Sequence, residues 1–194
     1  GSHNLVGRQK GPQPKRVRSP FLAWIPAVPD YRLRPFQWSD LPAITAIYRH
    51  YVEQTAITFD TEAPDEPAIA EKLGHLVALG HPLIVAEADG GVLGYAYASF
   101  YRPRAAYRFT CEDSIYLRPD AKGKGLGRLM LTELIAQART FGFKQMIAVI
   151  TADTANSIAI HEKFGFRHVG RYAAVGLKFD RWHDVVHLQL ALEQ

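Results

Sequence analysis

The stretch SIYLRPDAKGKGLGRLMLTELI, residues 114–135, constrains the fold of this chain more than any other segment. It reads as a strand, a loop with three alternate glycines among cations, and an amphipathic helix. Glycines at alternate positions leave main-chain N–H groups uncovered, and the positive end of the helix dipole lies next to them. The loop therefore predicts a binding site for a phosphate-bearing ligand at the start of a helix.

Two common phosphate-binding loops do not fit this spacing. A Walker loop needs a Lys followed by Ser or Thr, whereas Gly127 is followed by Arg128 and Leu129. A dinucleotide fingerprint needs a third glycine three places after the second, inside a βαβ unit, but here Gly125 and Gly127 lead to Met130. What remains is a basic residue, two further residues, and two alternate glycines before a helix, a pattern suited to holding a pyrophosphate with main-chain amides.

The remaining chain shows strand and helix patterns in the order strand, two helices, three antiparallel strands, helix, strand, helix, strand, strand. Ser39 and Asp40 are expected to cap the first helix. Strands are predicted over residues 31–36 and 107–117, a hairpin turns at Asp89, and the last two strands cover GLKF and DVVHLQLAL. In the helix after the glycine loop, the expected buried positions are Leu129, Leu131, Leu134 and Ile135. This order predicts an α+β fold with a mixed, mostly antiparallel central sheet flanked by helices.

Charge along the chain argues against a nucleic-acid partner. Five of the 23 Lys and Arg residues precede residue 30, and 18 of the 19 acids follow it, so residues 31–194 carry 18 charges of each sign. Phosphate-backbone binding needs a dense basic face instead. We divide the chain into residues 1–30, a tag remnant (GSH) and a basic, proline-rich arm, and one domain over residues 31–194. No apolar run is long enough to span a membrane.

Two residue types that often carry chemistry have simpler interpretations here. Cys111 is the single cysteine and is expected to be a small buried residue on a strand, which fits the reducing cytoplasm. His183 and His187 are four apart on a strand pattern, so they do not share a helical face, and no metal is expected.

The glycine-loop segment resembles the acetyl-CoA motif of the GCN5-related N-acetyltransferase (GNAT) superfamily, and the element order of residues 31–194 matches that fold. Five further blocks resemble the phosphinothricin or methionine sulfoximine acetyltransferase family: AIYRHYVEQTAITFDTEAP, GYAYASFYRPRAAYR, CEDSIYL, SIAIHEKFGFRHVG and GLKFDRWHDV. The resemblance implies a splayed strand pair that receives acetyl-CoA, transfer of the acetyl group to the α-amine of a small amino-acid analogue in a ternary complex, and a homodimer.

The resemblance also implies roles for individual residues. Glu112 is the expected base for the acceptor amine, and His161 the expected acid for the coenzyme A thiolate. The expected acceptor-binding residues are Arg102, Arg104, Asp113 and Ser114. For Phe59, Tyr107 and Trp182 two interpretations stay open: walls of that pocket, or core residues, which is the commoner place for aromatics in such patterns. Acetyl-CoA is expected to contact Ile115, Tyr116, Leu117, Lys122, Gly123, Lys124, Gly125, Leu126, Gly127, Arg128, Thr154 and Asn156. Thr154 stands where an Asn is common, which leaves the contact from this helix open.

Two alternatives stay open at this point. The acceptor could be a protein N-terminus or a lysine, which would require an open groove. The domain could also be a non-catalytic acetyl-CoA-binding module, although such a module needs neither Glu112 nor the RPR segment around Arg102.

Overall fold

The computed structural model describes residues 30–193, which form one mixed seven-stranded sheet with helices on both faces. The strands are β1 (Arg32–Pro35), β2 (Leu83–Ala88), β3 (Gly91–Phe100), β4 (Thr110–Leu117), β5 (Gln145–Thr151), β6 (Arg167–Lys178) and β7 (Arg181–Ala191). The helices are α1 (Leu41–Gln54), α2 (Glu66–Leu79), α3 (Leu126–Phe141) and α4 (Ala155–Lys163). The predicted arm lies outside the described residues, apart from Asp30.

The strand order is β1-β2-β3-β4-β5-β7-β6. Neighbouring strands are antiparallel except β4 and β5, which are parallel. The parallel pair arises because α3 carries the chain from the end of β4 back to the start of β5. The predicted mixed, mostly antiparallel α+β sheet is confirmed.

Two apolar cores cover the two faces of the sheet. On one face, α1 and α2 pack Ile44, Leu73 and their neighbours against Tyr95 and Tyr97 of β3. On the other face, α3 packs Met130 and Leu134 against Cys111 and Met146. Cys111 is fully buried, and burial raises the pKa of its thiol, in agreement with the structural role predicted for it.

Several predicted boundaries were wrong. Residues 105–107 form a 3₁₀ turn, closed by the Tyr107 N–H on the Arg104 carbonyl (2.9 Å), so β4 starts only at Thr110. Asp40 does not cap α1 with its side chain in the described chain; its carboxylate accepts from Arg34 and from the Gln37 N–H instead.

Two other predictions missed the extent of β6 and the buried side of α3. The strand β6 has twelve residues and is far longer than GLKF. Leu129 is 42% exposed, and Met130 takes the buried position on α3.

Candidate active site

The sheet opens between β4 and β5. Register pairs join Thr110, Cys111 and Glu112 to Gln145–Ile147, and beyond that point β4 continues to Leu117 while β5 continues beside β7. The Arg118 N–H donates to the Leu93 carbonyl on β3 (2.7 Å). By the antiparallel alternation, Tyr116 also turns its main-chain groups to β3, whereas Asp113, Ile115 and Leu117 turn theirs toward the opening.

The main-chain N–H and C=O of Leu117 are already hydrogen-bonded to the side chain of another residue. The Tyr51 hydroxyl, from α1, donates to the Leu117 carbonyl (2.8 Å) and accepts from its N–H (3.1 Å). Of the three residues predicted to pair with a pantetheine chain, Ile115 is therefore the one whose N–H and C=O face the opening. The main-chain groups of Tyr116 face β3, and those of Leu117 are already hydrogen-bonded to the Tyr51 hydroxyl.

The glycine loop leads from this opening to the start of α3. Gly123 (φ +75°) and Gly125 (φ +83°) take left-handed conformations that other residues rarely adopt. Gly125 is the N-cap residue of α3, and within the described chain no side chain caps this helix end. A Cβ on Gly127 would lie 3.8 Å from the Leu117 side chain, so that position is not tightly closed. The loop thus leaves first-turn N–H groups of α3 available to a ligand.

Cations surround this loop. Lys122, Lys124 and Arg128 are all exposed, and the Lys122 ammonium lies 4.7 Å from the centre of the Tyr51 ring. Leu126 is buried and anchors the first turn of α3 in the core. The combination of free amides, left-handed glycines and exposed cations fits the pyrophosphate of coenzyme A.

Glu112 lies where β4 loses its partner, on the face covered by α1 and α2. Burial raises the pKa of its carboxyl to about 7, and the neighbouring charge of Asp113 adds to the increase. The positive charges of Lys72 and Arg102 act in the opposite direction. A carboxyl with a pKa near neutrality can accept a proton at physiological pH and release it again.

Asp113 points to the opposite face, where it meets α4. Its Oδ2 atom lies 2.9 Å from His161 Nε2, and the side chains of Asp113 and His161 are only 4% and 8% exposed. His161 Nδ1 lies 2.7 Å from the Ser157 carbonyl, which can only accept, so Nδ1 carries a proton. Burial opposes a charged imidazole, but the hydrogen bond and charge of Asp113 outweigh it and raise the pKa of His161. This placement does not support the predicted contact between Asp113 and the acceptor.

Two of the other predicted acceptor residues, Ser114 and Arg102, lie on or near the Glu112 face. Ser114 follows Glu112 on that face by strand alternation. Arg102 lies in the loop between β3 and β4, its guanidinium 4.9 Å from the centre of the Tyr101 ring. Arg104 is exposed at the start of the 3₁₀ turn.

The loop between α1 and α2 forms a wall of this face. Lys178 is buried and donates to the Thr58 carbonyl (2.7 Å), and the Thr151 hydroxyl donates to the Ala56 carbonyl (2.6 Å). The Phe59 ring packs so closely on Gly176 that a Cβ there would lie 2.1 Å from it. Phe59 therefore lies on the same side of the sheet as Glu112, against Gly176 and His183. Trp182 does not, because it alternates along β7 with His183, whose ring approaches Phe59.

Sequence reasoning missed several residues of this region. Tyr51, Lys72 and Lys178 come from α1, α2 and β6, and their contacts join segments far apart in the chain. Lys72 places its ammonium over the Tyr97 and Tyr48 rings beside Glu112. The sequence held no local signal for these contacts.

The start of α4 lies at the end of β5. Thr154 is its N-cap residue, and its N–H donates to the Thr151 carbonyl (2.9 Å). Asn156 is exposed in the first turn.

Residues 30–193 contain no group of three or more His, Cys, Asp or Glu side chains arranged to hold a metal ion. Over the same residues, the helices are too short or too polar to cross a membrane.

Comparison with known proteins identifies the class. Residues 44–166 match the Acetyltransferase (GNAT) family. The phosphinothricin N-acetyltransferase of Alcaligenes faecalis is 46% identical over 155 residues, which cover 79% of this chain and 78% of that protein. The L-methionine sulfoximine/L-methionine sulfone acetyltransferase of Salmonella typhimurium is 38% identical over 156 residues, covering 80% and 91%.

Solved structures agree. A phosphinothricin acetyltransferase from Sinorhizobium meliloti, in complex with AcCoA, superposes with a TM-score of 0.81 at 42% identity and covers 83% of this chain and 88% of that one. The chain belongs to the GNAT family of acetyltransferases, which confirms the family that the sequence predicted.

Proposed function

We propose that this protein transfers the acetyl group of acetyl-CoA to the α-amine of a small amino-acid analogue of the phosphinothricin or methionine sulfoximine type. The observation that carries the proposal is Glu112: a carboxyl with a pKa of about 7 stands where the parallel strands part, next to the main-chain groups of Ile115. The named activities of the relatives support the choice of acceptor.

Acetyl-CoA would be held mainly by main-chain groups. The N–H and C=O of Ile115 would pair with its pantetheine arm, and the amides from Gly123 to Arg128 would hold its pyrophosphate. Lys122, Lys124 and Arg128 add positive charge around the pyrophosphate. Thr154 and Asn156 are the proposed acetyl-CoA contacts from α4. Once bound, acetyl-CoA supplies the thioester that the amine attacks.

The acceptor amine must lose a proton before it can attack, since an amino-acid amine is mostly protonated at pH 7. Glu112 takes this proton, directly or through a water, and its raised pKa matches the task. Lys72 and Arg102 keep part of the carboxyl population ionised by their positive charge. Arg102 binds the acidic groups of the acceptor with its planar guanidinium, with Arg104 and Ser114 as further contacts.

His161 is the proposed source of the proton for the departing thiolate. Its Nε2 proton is shared with Asp113, and its Nδ1 proton is held by the Ser157 carbonyl. The hydrogen bond and charge of Asp113 raise the pKa of His161, so the proton between the two side chains lies on the face of β4 opposite the base.

We also propose that the chain forms a homodimer. A band of apolar side chains on the β6–β7 hairpin is more than half exposed: Val169, Tyr172, Val175, Leu177, Phe179 and Trp182. So many exposed apolar side chains on one hairpin are typical of protein interfaces. Size-exclusion chromatography with light scattering tests this, since a monomer at all concentrations would contradict it. A cytoplasmic location stays a prediction.

The test of function is thiol release from acetyl-CoA, measured over phosphinothricin, methionine sulfone, ordinary amino acids, polyamines and peptides. We expect release with the first two. Release with peptides alone would show that the acceptor is a protein. Binding of acetyl-CoA in calorimetry, without thiol release for any amine, would show that the domain is a non-catalytic binding module. Glu112→Gln should retain acetyl-CoA binding and lose turnover.

A further inference from the structure

His187 lies on the same open face of the sheet as Glu112, although the mechanism above does not use it. Glu112 pairs with Ile147 on β5, and Val149, two residues further along, pairs with His187 on β7. Paired residues share a face and so do residues two apart, so these four side chains point to the same side. The helices α1 and α2 cover β2 to β4, and the α1–α2 loop covers the far end of β7 at His183. His187 lies between these two covers.

The surroundings of His187 make it a neutral hydrogen-bond donor. Its Nδ1 atom is buried and has no hydrogen-bond partner among residues 30–193. Nε2 does not share this combination of burial and missing partner. A buried N–H without a partner costs more than a buried lone pair without one, which favours the proton on Nε2. Burial lowers the pKa of His187, and the positive charge of Arg102 lowers it further. Tyr172 fixes the ring by an edge contact, with ring centres 4.9 Å apart.

The spacing indicates which part of the acceptor meets this donor. Two strand separations and two residue steps place the Cα atoms of Glu112 and His187 about 12 Å apart. The α-carboxylate of an amino acid is next to its amine, so with the amine at Glu112 the carboxylate stays near that residue. The atoms that reach toward His187 are those at the far end of a short side chain. In phosphinothricin, methionine sulfoximine and methionine sulfone, that end carries oxygens on a tetrahedral phosphorus or sulfur.

We propose that His187 is a specificity-determining residue that donates a hydrogen bond from Nε2 to the tetrahedral oxo group of the acceptor side chain, beside the charge of Arg102. This inference rests on the proposed function. A neutral donor serves a charged phosphinate and an uncharged sulfone alike, and it distinguishes both from a thioether, which lacks the oxygen. His187 thus accounts for selection of oxidised side chains over ordinary methionine.

The test compares methionine sulfone with methionine, two acceptors that differ in the oxygens alone, by kcat/KM for thiol release. We expect His187→Phe to lower kcat/KM for methionine sulfone about tenfold, the effect of one hydrogen bond, and to leave methionine nearly unchanged. His187→Gln, whose amide nitrogen can replace Nε2, should restore most of the preference. His168→Phe, an exposed histidine on β6, is the matched control and should keep the wild-type ratio.

The outcomes separate the two proposals. If the wild type releases no thiol with any amino acid, the proposed function fails. If it uses methionine sulfone but does not prefer it to methionine, or if His187→Phe keeps the wild-type preference, the role of His187 is refuted and the function stands. Should His187→Phe not fold, as judged by its melting temperature, His187→Leu and His187→Gln decide by the same ratio.

Discussion

Glu112 should make the protein less stable as the pH rises. Its carboxyl has an ordinary pKa of 4.5 in the unfolded chain and about 7 in the folded protein. Because the folded state binds this proton more tightly, the associated stability is fully present below pH 4.5 and is lost as the pH rises to about 7. At 1.36 kcal/mol for each pH unit between the two values, the loss is about 3 kcal/mol.

The substitution Glu112→Gln removes this titration and keeps the shape of the side chain. We expect the variant to gain about 2 to 3 kcal/mol in free energy of unfolding relative to the wild type between pH 5 and pH 8, measured by urea unfolding at each pH. Glu71→Gln, on the exposed surface of α2, is the control and should show no such change with pH.

The same carboxyl should set the pH dependence of activity. The value of kcat/KM for the acceptor should rise as the pH rises through about 7, because the ionised form is the base.

A stability difference between Glu112→Gln and wild type that is equal at pH 5 and pH 8 would refute the argument that burial destabilises the ionised carboxyl.

Two further substitutions test contacts with the main chain of β4. A Cβ on Gly94 would lie 2.7 Å from the Tyr116 carbonyl, a rigid main-chain contact, so Gly94→Ala should lower the free energy of unfolding by about 2 kcal/mol and weaken acetyl-CoA binding. Gly170→Ala has no described atom within 4 Å and should be nearly neutral in the same urea titration. Tyr51→Phe removes the hydroxyl that bridges the β4 main chain and should cost about 1 to 2 kcal/mol; a melting temperature equal to wild type would contradict this.

The parts of the fold that the sequence predicted are those with a local cause. The glycine loop and α3 were identified because left-handed glycines and a helical apolar period occur within a few residues of each other. The strand β6 was cut short because two register shifts interrupt it, and Ala174, at φ +47°, breaks the alternation on which strand prediction depends.

The site was only partly predictable for a related reason. Glu112 and His161 could be proposed from the resemblance, but their environments depend on contacts between distant segments. The faces of β4 follow from simple alternation, yet nothing in the sequence said that Asp113 would find a histidine 48 positions away. From the sequence, His187 was considered only as a metal ligand and was dismissed as one. Its proposed role could not be seen there, because Arg102 and Tyr172, which surround it, come from other parts of the chain.

The alternation of β4 separates the proposed base from the proposed acid. Glu112 and Asp113 are consecutive, so they face opposite sides of the sheet at the point where the strand loses its neighbour. On one side, burial raises the pKa of Glu112 to about 7; on the other, the hydrogen bond and charge of Asp113 raise the pKa of His161. The negative charge of Asp113 also raises the pKa of Glu112, so one carboxylate influences both groups. A strand paired on both edges would have its main chain occupied at this point, and the split is therefore what would let the proposed base, acid and cofactor meet.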